Sequence, residues 1–193
     1  MDSTGWQRND AGGFWEDPRT GARIMLEIQD VPLTESYWLD DLDQARRDLA
    51  AGYGKHGCLI EAEPVWIGQT RGMSQLFKVS HPNGTGLIFG VSLFLAKASE
   101  TVIVKYTNDE GAVTGIREAM AMAQMGVVHV EHPYAPGVES KLPYNRADDP
   151  SLDAQFPDHP LTQARQWLRV IDRRLRLSPA FVALPDFRGT ARS

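Results

Sequence analysis

Residues Leu87–Ala96 restrict the possible folds more than any other stretch of this chain. Side chains alternate sides along a strand, so Leu87, Phe89, Val91, Leu93 and Leu95 line one face and Ile88, Gly90, Ser92, Phe94 and Ala96 the other. Both faces are largely apolar, and such a strand must be covered on both. It is entered through His81-Pro82-Asn83-Gly84-Thr85-Gly86, where Asn-Gly accepts the positive φ values of a tight hairpin turn. Residues 58–67, 73–80 and 101–107 supply neighbours. In the first, Cys58, Ile60, Ala62 and Trp66 share a face, and Pro64, which has no N–H for a ladder, predicts an edge strand or a bulge. Residues 23–28 add a short alternating run.

Helices are expected to cover this sheet. Trp38, Leu42, Ala45, Leu49 and Tyr53 recur at spacings of three and four, with Thr34 or Ser36 as cap and Gly52 or Gly54 as stop. A second helix starts near Thr114 and runs through Ile116, Ala119, Met120 and Ala123. A third, over residues 161–176, carries Leu161, Ala164, Leu168, Ile171 and Leu175 as its apolar stripe. Together these predict an α+β domain: a mainly antiparallel sheet of four or five strands with helices on both faces.

Two segments differ in composition from the rest, one before the single domain of residues 24–193 and one inside it. Residues 1–23 carry Trp6, Phe14 and Trp15 and read as an aromatic arm that docks, since each aromatic buries about 150–250 Å². Residues 132–160 hold Pro133, Pro136, Pro143, Pro150, Pro157 and Pro160, half of all the prolines, which excludes long regular elements. A connection of that length usually signals function or a partner surface.

Charge and cysteine content narrow the function. The net charge of −5 disfavours phosphate backbones and anionic lipid, which makes nucleic acid an unfavoured partner. The single Cys58 excludes an internal disulfide, and no stretch approaches 18 uninterrupted apolar residues, so the cytoplasm is the expected compartment. The distribution is uneven: from Leu161 onward there are seven Arg against two Asp, a local +5 that leaves −10 for the remainder. Arg165, Arg169, Arg173 and Arg176 form a stripe able to meet an anionic ligand, nucleic acid or an acidic surface.

Candidate chemistry is sparse. His129, Glu131 and His132, with His159 brought in by folding, have the ligand types of a divalent-metal site, although His132 faces away from the other two along a strand. Cys58 near His56 lacks a third orienting group and suits a buried small hydrophobe. Arg117, at a helix start with free N–H groups, could receive a carboxylate or phosphate; a cap and an internal ion pair explain the same residues. Trp6, Trp15 and Tyr134 are candidate anchors for a partner.

Residues 114–119 (Thr-Gly-Ile-Arg-Glu-Ala) and 153–161 (Asp-Ala-Gln-Phe-Pro-Asp-His-Pro-Leu) resemble segments of an uncharacterised bacterial protein family. The order of elements over roughly residues 24–175 is similar to that of the Mog1/PsbP-like α/β/α class. That resemblance implies helices over a twisted antiparallel sheet and roles mostly in binding and assembly. The expected function is therefore a non-enzymatic binding or adaptor protein of the bacterial cytoplasm, with no cofactor and with protein partners recognised through Trp6, Trp15, Arg117, Tyr134, Arg165, Arg169 and Arg173. The alternative is a small metal-dependent hydrolase using His129, Glu131 and His132.

Overall fold

A computed structural model describes residues 5–30, 39–111, 114–126 and 129–187. Seven strands form one antiparallel sheet in the order β1-β2-β3-β7-β6-β5-β4. They are β1 (Gln7–Asn9), β2 (Phe14–Glu16), β3 (Arg23–Gln29), β4 (Gly57–Ile67), β5 (Thr70–Ser80), β6 (Leu87–Ala96) and β7 (Thr101–Asp109). The helices are α1 (Leu42–Gly54), α2 (Ile116–Met125), α3 (Pro160–Arg174) and α4 (Pro179–Ala183), with 3₁₀ turns at Arg146–Asp148 and Pro150–Gln155.

The sheet is larger than the four or five strands expected. The two extra strands come from the segment read as an arm: β1 pairs with β2, and β2 with residues Arg23 to Met25 of β3. Three-residue strands carry too little periodicity to be seen in a sequence.

β6 has the bounds its alternation predicts and lies between β5 and β7. Both faces are covered. On one, Phe89, Val91, Leu93 and Leu95 join Val104, Tyr106 and Ile24 beneath Leu161, Ala164, Trp167, Ile171 and Leu175 of α3 and Phe181 of α4. Trp167 stacks on Tyr106 at 5.1 Å between ring centroids. On the other, Met73, Leu59, Ala62 and Phe94 pack against Ala45, Leu49, Ala50 and Tyr53 of α1 together with Tyr134 and Ala135. A small third cluster joins Ala121 and Met125 of α2 to Ala147, Leu152 and Phe156.

β4 is an edge strand, with Pro64 opposite Met73. Its register shifts between Leu59 and Glu61, and this bulge corrects the expected faces: Ile60 packs on the α3 side and Ala62 on the α1 side. α1 starts later than expected, because Asp41 accepts the Gln44 N–H at 3.0 Å and caps it; Thr34, Ser36 and Trp38 lie outside the described residues. The N-cap of α2 is Gly115, one residue after the expected Thr114, at φ +75°, a left-handed conformation that a β-branched residue at this position would adopt only with strain. Pro160 occupies the first position of α3, where its missing N–H costs no hydrogen bond.

Candidate functional site

The interior between the loop 132–160, α2, α3 and the sheet holds charge that an apolar core would exclude. Lys78 from β5 is 1% exposed, and its Nζ donates to Asp148 Oδ2 at 2.7 Å. The same oxygen accepts the Asn145 N–H at 2.9 Å. Arg117 from α2 is fully buried: Nη1 donates to Thr162 Oγ1 at 2.9 Å, Nη2 to Asp153 Oδ1 at 2.8 Å and to the Asp149 carbonyl at 2.9 Å, and Nε to the Ala147 carbonyl. Arg165 from α3 reaches the same Asp153 Oδ1 at 2.9 Å, Glu61 Oε1 through Nε at 2.7 Å, and the Asp148 carbonyl. The Phe156 ring lies 5.8 Å from the Arg117 guanidinium carbon.

Each guanidinium is thus engaged inside the protein, its N–H groups divided among several carbonyl, hydroxyl and carboxylate oxygens. Arg117 ties the loop 132–160 to α2 and α3, and Arg165 ties it to α3 and, through Glu61, to β4. The stripe on α3 is split for a geometric reason. Each step of four residues advances about 40° around a helix of 3.6 residues per turn, so Arg165 turns into the core while Arg169 and Arg173 stay exposed.

Cys58 and His132 border this network. The Cys58 thiol is fully buried, donates to the Leu59 carbonyl at 3.2 Å, and is pushed up to about 12 by burial. His132 accepts the Tyr134 N–H on Nδ1 at 3.1 Å and sets Nε2 2.8 Å from the Leu59 carbonyl, which places the proton on Nε2. Burial lowers its pKa. Both ring nitrogens are engaged, while His129 and Glu131 are exposed. His159 stands apart, as the cap of α3, with Nδ1 accepting the Leu161 N–H at 3.2 Å. The structure does not bring these four together, and among the described residues no group of three His, Cys, Asp or Glu is placed to hold a metal ion.

Among the depressions on the described surface, two have largely apolar walls. The first is an apolar groove of about 240 Å³ between the sheet and the α3–α4 corner, lined by Trp15, Leu26, Ile28, Val102, Leu177 and Phe181 among others. Leu26 is 41% and Ile28 61% exposed, high values for aliphatic side chains on a core-facing sheet surface. β2 covers β3 only as far as Met25, so Leu26 to Gln29 have no strand on that side among the described residues. Arg169, Arg173, Arg174 and Arg176 are exposed and make no ion pair with any described residue, which leaves this end of α3 basic; Arg176 itself lines the groove. The second is a cleft of about 300 Å³ at the opposite end of β6, lined by Lys78, Leu87, Glu110, Glu118, His129 and Asn145 among others.

The other expected anchors have internal roles. Trp6 packs half-buried against the main core. Tyr134 belongs to the α1-side core, and the Arg46 guanidinium carbon sits 4.9 Å from its ring centroid. Trp15 does line the groove, with Arg8 5.8 Å from its ring. Sequence reasoning did not find Leu26 and Ile28, whose alternation announces a strand but not the absence of a neighbour. No protein-family model matches the chain, and no curated protein matches it. No described helix is long and apolar enough to cross a membrane.

Proposed function

We propose that this is a non-enzymatic binding protein of the bacterial cytoplasm, and that it recognises an extended segment of another protein laid along β3 over the apolar groove. One observation carries the reading: the edge of β3 from Leu26 to Gln29, which no strand covers among the described residues, coincides with exposed Leu26 and Ile28. Unpaired strand N–H and C=O groups template a further strand, and pockets for alternate side chains supply specificity. Trp15 closes one side of the groove. The unpaired arginines at the end of α3 favour a segment that alternates apolar with acidic residues, because complementary charge speeds encounter and selects partners. The interior charges support a binding role as well, since they are spent on one another and on the loop. The binding and assembly roles implied by the Mog1/PsbP-like resemblance point the same way.

Fluorescence anisotropy with labelled nonapeptides tests this. A peptide alternating valine with glutamate is expected to bind, to weaken as salt is raised, and to lose affinity about tenfold or more with Ile28→Glu, which places a charge in the groove. Equal binding of a valine–lysine peptide, or an Ile28→Glu variant that binds as the wild type does, would overturn it.

A further inference from the structure

The groove beside β3 is apolar along most of its wall and meets concentrated positive charge where α3 stops. Arg173, Arg174 and Arg176 fall within four residues there, and all three are exposed. None makes an ion pair with any described residue, although the exposed Asp172 precedes them directly. Arg176 carries this charge into the groove, whose lining on that side runs Leu175-Arg176-Leu177-Ser178. Its Nη1 donates to the Asp172 and Leu175 carbonyls at 3.2 and 3.4 Å, which holds the guanidinium against the last turn of α3. Nε and Nη2 make no hydrogen bond with any described residue, so they remain available as donors on an accessible side chain. One carboxylate, that of Glu100 from the β6–β7 turn, lines the same groove and opposes any anion in it.

Strand geometry limits what can answer these arginines. Side chains on one face of a strand repeat about every 6.5 Å, so a strand laid along Leu26 to Gln29 brings a single groove-facing residue to the arginine end. A glutamate there offers one negative charge against three arginines and must also overcome Glu100. A phosphate offers nearly two charges at pH 7 and three acceptor oxygens, and a guanidinium fork binds it through two parallel N–H groups.

We propose that the segment recognised along β3 is phosphorylated. It lays apolar side chains against Leu26, Ile28 and Phe181 and sets a phosphoserine or phosphothreonine, on the same face, against Arg176. Arg173 and Arg174 of the last helical turn add positive field at that end. This rests on the strand-recognition reading and names the chemistry of its partner.

Fluorescence anisotropy on the full chain compares two labelled forms of the valine–glutamate nonapeptide, in which the first or the last valine is replaced by phosphoserine, with forms carrying glutamate at the same places. Strand direction decides which end meets the arginines, so one of the two phosphopeptides is expected to bind at least about tenfold more tightly than its glutamate counterpart. Arg176→Gln is expected to bring that phosphopeptide to within about twofold of the counterpart, and Arg173→Gln with Arg174→Gln to reduce its advantage more at low salt than at high. Glu100→Gln is expected to tighten the phosphopeptide by about twofold. Phosphoserine and glutamate peptides that bind alike, or an advantage that survives both arginine variants, would overturn the proposal and leave strand recognition standing. No binding by any peptide would overturn both. Displacement of the phosphopeptide by phosphatidylglycerol vesicles, but not by phosphatidylcholine vesicles, would assign the arginines to an anionic lipid surface and overturn it as well.

Discussion

His132 shows how a single side chain on this chain trades chemical potential for position. With Nδ1 accepting the Tyr134 N–H and Nε2 donating to the Leu59 carbonyl, the ring is a rivet between the loop 132–160 and β4. Protonation would need a second donor at Nδ1, where an N–H already points, and burial opposes the charge; both keep the folded-state pKa below the ordinary 6.5. The unfolded chain therefore binds the proton first as pH falls. Stability is full above about pH 6.5, declines below it, and levels off once the folded-state ring also titrates. Urea denaturation from pH 7.5 down to 5 is expected to show this decline, and His132→Asn is expected to flatten it; an identical slope in the two proteins would refute the assignment. Lys78 and Asp148 make the same trade. They lie 70 residues apart in sequence, and neither carries a local mark of burial.

Elements follow the alternation of side chains wherever a strand is long and unbulged. β6 ends where its apolar alternation ends, and β7 runs only two residues beyond its expected end because Asn108 and Asp109 still pair with Phe89 and Ile88. Close approach of strands also restricts which residues fit. A Cβ at Gly72 would sit 2.3 Å from the Phe94 carbonyl oxygen and 2.6 Å from a Leu95 methyl, with rigid sheet backbone on one side. Gly72→Ala is therefore expected to destabilise by about 1–3 kcal/mol through forced backbone shift, measured as a lowered denaturation midpoint. An unchanged midpoint would mean that β5 and β6 can slide apart at this pair. β4 illustrates the limit of the pattern. One extra residue at the bulge reverses the facing of Ile60 relative to Ala62, and nothing in the residues themselves announces the insertion.

At the scale of the molecule, the loop 132–160 is held by charge as well as by apolar burial. Asp153 Oδ1 is shared by Arg117, Arg165 and Thr162, which unites α2, α3 and the second 3₁₀ turn at one oxygen. Removing one partner of such a network leaves buried charge uncompensated. Asp153→Asn is expected to raise amide hydrogen exchange first over residues 146–156 and later over β6, as a local opening that precedes global unfolding. Simultaneous exchange of both segments would show that the loop does not open on its own. The surface has two distinct ends: among the described residues, exposed arginines without an ion pair and the open β3 edge lie at one end of the sheet, and the cleft beside Leu87 and Glu110 lies at the other. Alternation and turn chemistry, which act between residues a few positions apart, were enough to specify the antiparallel α+β core, the hairpin before β6 and the three long helices. The two short outer strands, the inward turn of Arg117 and Arg165, and the two depressions were decided only in the folded chain. The outer strands are three residues each, too short for a period to show, and the two arginines depend on partners 12 to 104 residues distant, a range that no local periodicity encodes.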